Sequence, residues 1–253
     1  MADFGSVLKE WRQTRRVSQM DPALSAGVSA RHVSFLETGR ARPSRGMVLR
    51  LCENLQIPNA GRNRMLIAAG LAPTYEMRAA DDADLEALAQ AVTWMLERHA
   101  PYPGMALDRH WRLVELNRPA RLILSATGLD IGDSLIEALL NNEALRSALV
   151  NLQEVERHTL SRLRTELSHF GHDPVLEHVV ATLEKRVNPE VGEVVLPAVI
   201  PASYQMGDMV MSFFSTISQF GTTGDLTMSE LKVELMFPAD DVTRTALMAL
   251  SGG

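Results

Sequence analysis

Residues 19–44, QMDPALSAGVSARHVSFLETGRARPS, hold two short helical periods separated by a glycine. Gly27 suits the left-handed backbone that ends a helix, and Ser29 is placed to cap the next one by accepting a hydrogen bond from an unsatisfied backbone N–H. The second period predicts a helix over about 30–37 that stops at Gly39. Pro43 and Ser44 then mark a loop and a new N-cap. Met47, Val48, Leu51, Cys52 and Leu55 come next at helical spacing until Pro58. Upstream, Phe4, Val7, Leu8 and Trp11 share one helical face, and downstream a fifth helix is expected over about 60–69. Five short helices before Gly70 describe an all-α domain.

Charge separates this head from the rest of the chain. The 253 residues together have a net charge of -6, but residues 1–78 hold 12 of the 25 Lys+Arg and 6 of the 31 Asp+Glu. The head is therefore +6 and the remainder -12. A concentrated positive patch attracts phosphates and releases their counterions, whereas an acidic body is repelled by a duplex. The hydrophobic share, 46% with 22% charged residues, is ordinary for globular domains and allows two packed cores. No window approaches the roughly 18 uninterrupted apolar residues that a membrane span needs, and no signal peptide is visible, so the protein is expected to be cytoplasmic with no membrane partner. The single cysteine, Cys52, is expected to act as a small buried hydrophobe.

The 19–44 stretch resembles the helix-turn-helix of the Xre, or phage-repressor-like, family. The resemblance rests on Gln19 opening the second helix, Leu24 and Ala26 on its core face, Gly27-Val28-Ser29 as the turn, and Val33 and Leu36 anchoring the next helix. Glu37-Thr38-Gly39 close that helix, with Pro43-Ser44 beyond. Asp21-Pro22 departs from the pattern, because proline is tolerated only in a first turn, and implies a late or altered start to the second helix.

The resemblance implies a recognition helix whose N-terminal residues enter the major groove. By position, Ser29, Ala30, Arg31 and Ser34 face bases, and His32 faces base or phosphate. Arg31 is the principal reader, since a guanidinium donates two hydrogen bonds to guanine O6 and N7, and Ala30 suits a thymine methyl. Gln19, Arg40, Arg42, Ser44 and Arg45 suit phosphate contacts, which position without reading sequence. Binding of double-stranded operator DNA as a homodimer is expected from the mechanism.

Domain boundaries are placed at 1–72 for the DNA-binding head, 73–80 for a linker around Pro73, and 81–253 for a ligand-binding and dimerisation body. In the body, a helix is expected over about 81–98, a small hairpin over 104–116 with its turn at 108–110, and helices over about 118–127, 134–140, 143–170 and 174–187. Three strands rich in β-branched and aromatic residues come next, with turns at Gly207-Asp208 and 221–225. A last helix covers 240–250, making the body α+β. No internal repeat or low-complexity tract is visible.

The head, then a helix, the segment YPGMALDRHWRLVELNRPARLIL and a late run of long strands resemble the MmyB-like regulators. That resemblance implies a PAS-like body with a pocket for a small apolar molecule, fatty acids being the natural candidates. Met206, Met209, Met211, Phe213, Phe214 and Phe220 crowd one strand pair and suit either an adaptable pocket or an ordinary core. Met206, Met211, Phe213 and Phe214, with Trp94 and Trp111, are the candidate ligand-contacting residues. Asn117 is expected to cap a helix beginning at Arg118-Pro119.

Other chemistries find less support. His169, His172 and His178, with Asp173 and Glu177 nearby, are not spaced on one helical face, so no metal is assigned. No nucleophile elbow, phosphate-cradling glycine loop or cysteine beside a histidine is present, and no catalytic residue or required cofactor is nominated. The alternatives are a DNA-targeted metabolite-processing enzyme and a regulator whose body docks a protein partner.

Overall fold

The computed structural model describes residues 3–75, 83–187, 201–220 and 230–251. They form two compact units, one built on residues 3–75 with 164–173 and the other on the rest.

The first unit contains α1 (Phe4–Thr14), α2 (Met20–Ala26), α3 (Ala30–Glu37), α4 (Arg45–Asn54) and α5 (Asn59–Ala68). Three helices start on side-chain caps: Asp3 accepts from the Ser6 N–H, Ser29 from His32 and Ser44 from Met47. Gly27 turns the chain between α2 and α3 at φ 69°, which a side chain would resist. Pro22 falls in the first turn of α2, so the helix starts only one residue after Gln19. Ser18 supports that start by donating from its N–H and hydroxyl to the Asp21 carboxylate at 2.8 and 2.6 Å.

The core of this unit joins Val7, Leu8 and Trp11 of α1 to Val33 and Leu36 of α3 and to Val48, Leu51 and Cys52 of α4. Helices α1 and α3 approach so closely that a Cβ on Gly5 would run into the Glu37 carbonyl. The Glu37 carboxylate, only 4% exposed, accepts from Arg12 Nε at 2.7 Å and from Gln19 Nε2 at 2.7 Å. This charged clasp fixes α3 against the start of the motif.

Residues 72–75 lie within this unit. Asn63 accepts from the backbone N–H groups of Thr74 and Tyr75, and Arg45 donates to the Ala72 carbonyl. The expected linker thus begins as chain tied to the head, while 76–80 lie outside the described residues. At 164–173, α10 (Leu152–Phe170) ends before Gly171, and Arg15 donates to the Ser168 and His169 carbonyls.

The second unit holds α6 (Ala83–His99), β1 (Gly104–Leu107), β2 (Leu113–Leu116), α7 (Arg118–Ser125), α8 (Leu135–Asn141), α9 (Glu143–Ala148) and most of α10. It continues with α11 (Pro174–Arg186), β3 (Ala202–Met206), β4 (Met209–Gln219), β5 (Lys232–Pro238) and α12 (Asp241–Ser251). The five strands form one antiparallel sheet in the order β2-β1-β5-β4-β3. Met206 pairs with Met209 across Gly207-Asp208, the two-residue turn expected there. The turn expected at 221–225 lies outside the described residues.

Two features frame the interior of this unit. Asn117 caps α7 by accepting from Ala120 at 3.0 Å, and also accepts from the Gly104 N–H while donating to the Leu96 and Tyr102 carbonyls. One buried amide therefore ties α6, β1 and α7 together. The single helix expected over 143–170 is instead two. At the break, Leu149 pairs with Tyr204, and the Val150 N–H donates to Ser203 at 2.8 Å. Asn151 adds bonds to Pro201 and Ser203, so pairing with the sheet edge outcompetes helix continuation.

Candidate functional site

In the head, α3 presents Arg31 to solvent, with His32 and Ser34 half-buried on the same short helix and Ala30 packed at its start. Ser29 is committed as the cap through its hydroxyl oxygen, which leaves its proton for a further partner. Arg40, Arg42, Ser44 and Arg45 lie exposed along the loop and start of α4. Two of the expected phosphate contacts already have structural roles: Gln19 donates to Glu37, and Arg45 donates to Ala72 and to the Thr74 hydroxyl. Phe35 was not singled out from sequence. Its half-buried ring lies 5.3 Å from the Arg31 guanidinium carbon and 5.9 Å from that of Arg40.

In the body, a cavity of about 490 Å³ opens between the helices and the sheet. Its apolar wall comes from Ile123 and Leu124 of α7, Leu135, Ile136 and Leu139 of α8, and Leu145 of α9. Other parts of the wall are polar: His158, Thr159 and Arg162 from α10, Tyr204 from β3, Ser215 and Thr216 from β4, and Glu234 from β5. Of the six ligand-contacting residues expected from sequence, Trp111, Phe213 and Phe214 line this cavity. Met206 and Met211 are not in its wall, and Met211 is buried in the core instead. Trp94 is 59% exposed on α6, with Arg98 over its ring. Periodicity put these side chains on strands and helices without distinguishing the face that borders a void.

The polar part is electrostatically unusual. The Arg162 guanidinium carbon lies 5.0 Å from the Trp111 ring centre and Lys232 Nζ lies 4.4 Å from it. Lys232 is almost wholly buried. Burial pushes the Glu234 carboxyl up from the usual carboxylate range, against the opposing hydrogen bond from Ser215 and the charges of Arg162 and Lys232. Burial, with the Glu234 charge, also pushes the Tyr204 phenol up, so it stays a hydrogen-bond donor at neutral pH. His158 is pushed down by burial and by Arg162, which favours the neutral imidazole. The Arg162 guanidinium and the Glu234 carboxyl therefore border the same cavity, and the charges of Arg162 and Lys232 both act on that carboxyl. These groups were not legible as a site, because Arg162 and Glu234 look like ordinary solvent-facing charges on a helix and a strand. Their common location arises only when α10 and β5 face the same void.

A helix-turn-helix domain model matches residues 3–65. No curated protein is a significant match to the chain. Among solved structures, the PAS domain of BvgS from Bordetella pertussis matches at 11% identity and a TM-score of 0.32, over 66% of this chain and 96% of that one. The PAS domain of an HTR-like protein from Haloarcula marismortui matches at 14% identity and a TM-score of 0.26, over 61% and 94%. The model of the MmyB-like transcription regulator ligand binding domain matches residues 88–250, which hold every side chain of the cavity, and the chain belongs to that family.

Proposed function

We propose that this ligand-responsive, DNA-binding transcription regulator acts in the cytoplasm as a homodimer and senses a fatty acid or related acyl metabolite. The observation that carries the ligand class is a cavity with an apolar wall from α7, α8 and α9 and a cationic region at Arg162. An acyl chain would lie along the leucines and isoleucines, and its carboxylate would meet Arg162 and the Tyr204 hydroxyl. Apolar burial supplies affinity, and a few polar groups fix orientation. The body acts by binding, not by catalysis, and requires no cofactor.

At the DNA, Arg31 reads a guanine and Ala30 meets a thymine methyl, with Ser29, His32 and Ser34 beside them. Gln19, Arg40, Arg42, Ser44 and Arg45 hold phosphates. Ligand controls DNA binding to the extent that it binds two conformations of the body with different affinity.

Native mass spectrometry of the purified chain before and after organic extraction tests both proposals together. A dimer that loses an acyl-chain-sized mass per subunit, and whose operator affinity changes when that lipid is restored, is the expected result. A monomer, or a protein that neither carries nor responds to long-chain fatty acids, would overturn the corresponding part.

A further inference from the structure

We infer that Phe35 is a positioning residue for DNA recognition, a shelf that holds the Arg31 guanidinium in the orientation from which it reads a base. Its ring is half-buried on α3, between the buried Val33 and Leu36 that anchor the helix to the core. It is one turn from Arg31, the spacing at which helical side chains meet. The Arg31 guanidinium carbon lies 5.3 Å from its centre, within the range of cation–π attraction.

The same ring holds a second arginine. After Gly39 the chain folds back so that the Arg40 N–H donates to the Phe35 carbonyl at 2.8 Å, and the Arg40 guanidinium carbon lies 5.9 Å from the ring centre. One aromatic side chain therefore restrains one arginine on the helix and one on the loop beyond it. A long arginine loses rotamer freedom when it binds, and resting on a shelf means part of that freedom is already lost in the free protein.

This rests on the base-reading role of Arg31, and the test separates the two. Duplexes would first be selected from a randomised pool with the full-length protein. Affinity for the selected duplex and for a scrambled one would then be measured for wild type, Phe35→Leu, Phe35→Tyr, Arg31→Ala and the Phe35→Leu/Arg31→Ala double variant. Phe35→Leu should lower discrimination roughly two- to fivefold, the size of an exposed cation–π contact, and Phe35→Tyr should retain it. Because no charge is removed, the salt dependence of Phe35→Leu should match wild type. In the Arg31→Ala background, the discrimination loss from Phe35→Leu should vanish.

An equal loss in both backgrounds would overturn the shelf and make Phe35 a direct contact or a fold support. Discrimination unchanged in Phe35→Leu but lost in Arg31→Ala would overturn the shelf alone. Discrimination unchanged in Arg31→Ala would overturn the base-reading role and the shelf with it.

Discussion

The surface proposed to face DNA and the cavity proposed for the ligand use arginine in opposite settings. Arg31, Arg40 and Arg42 are exposed within a dozen residues of one another, above a core that is almost entirely apolar. Arg162 sits in a cavity wall beside a buried lysine and a carboxyl pushed up by burial, drawn from elements far apart in the chain. Exposed cations interact through water, so their contribution is screened by salt and changes little with pH. Charges around a void interact through protein, so they respond to protonation and to any ligand that fills the space.

The difference can be broken at its supports first. Glu37→Ala strands Arg12 and Gln19 and should destabilise the head by about 3 kcal/mol, the scale of breaking a buried ion pair. In the body, Asn117→Ala should cost about the same, because it removes a cap and leaves buried backbone groups unpaired. Thermal unfolding of each variant monitored by circular dichroism checks both, and a shift smaller than that of a surface substitution would refute the role assigned to either side chain.

Next in size is the division of labour on the DNA face. Arg31→Ala should lose about 1–3 kcal/mol of discrimination at one base position, while Arg42→Ala should weaken all duplexes alike and reduce the salt slope by about one. Binding titrations on selected and scrambled duplexes at several salt concentrations separate these outcomes.

A smaller effect sharpens the contrast in pH response. The raised Glu234 pKa means the folded protein binds a proton that the unfolded chain has released, so stability falls as pH rises from the ordinary carboxylate value of 4.5 through the folded pKa. Glu234→Gln should remove that fall. The lowered His158 pKa acts in the opposite sense, with stability lost as pH drops below its ordinary value of 6.5. Denaturation midpoints across pH 4–8 for wild type and Glu234→Gln measure the difference. The smallest effect is on Cys52, whose thiol burial pushes up to about 12: it should resist a thiol reagent at pH 8 until the protein is unfolded.

The head was legible almost residue by residue. Ser29 and Ser44 cap the helices they were expected to cap, and Cys52 is buried in the α4 face. Caps, turns and apolar periods act within a few residues, so a linear reading captures them. The body was legible at the level of elements: the hairpin at 104–116, the cap at Asn117 and the Gly207-Asp208 turn all came from local chemistry. It failed where local and distant preferences compete, as at Leu149–Asn151, where sheet pairing interrupts a sequence that is periodic enough to continue as helix.

By itself, then, the amino-acid order determined a basic helical head with a capped helix at 30–37 and an acidic α+β body with late strands. Only the tertiary structure decided which side chains border the void, that Arg162, Tyr204 and Glu234 share it, and that Phe35 underlies two arginines. The reason is physical: helix periods, caps and turns depend on neighbours along the chain, whereas a cavity, a shifted pKa and a ring beneath a guanidinium depend on which distant surfaces are brought into contact.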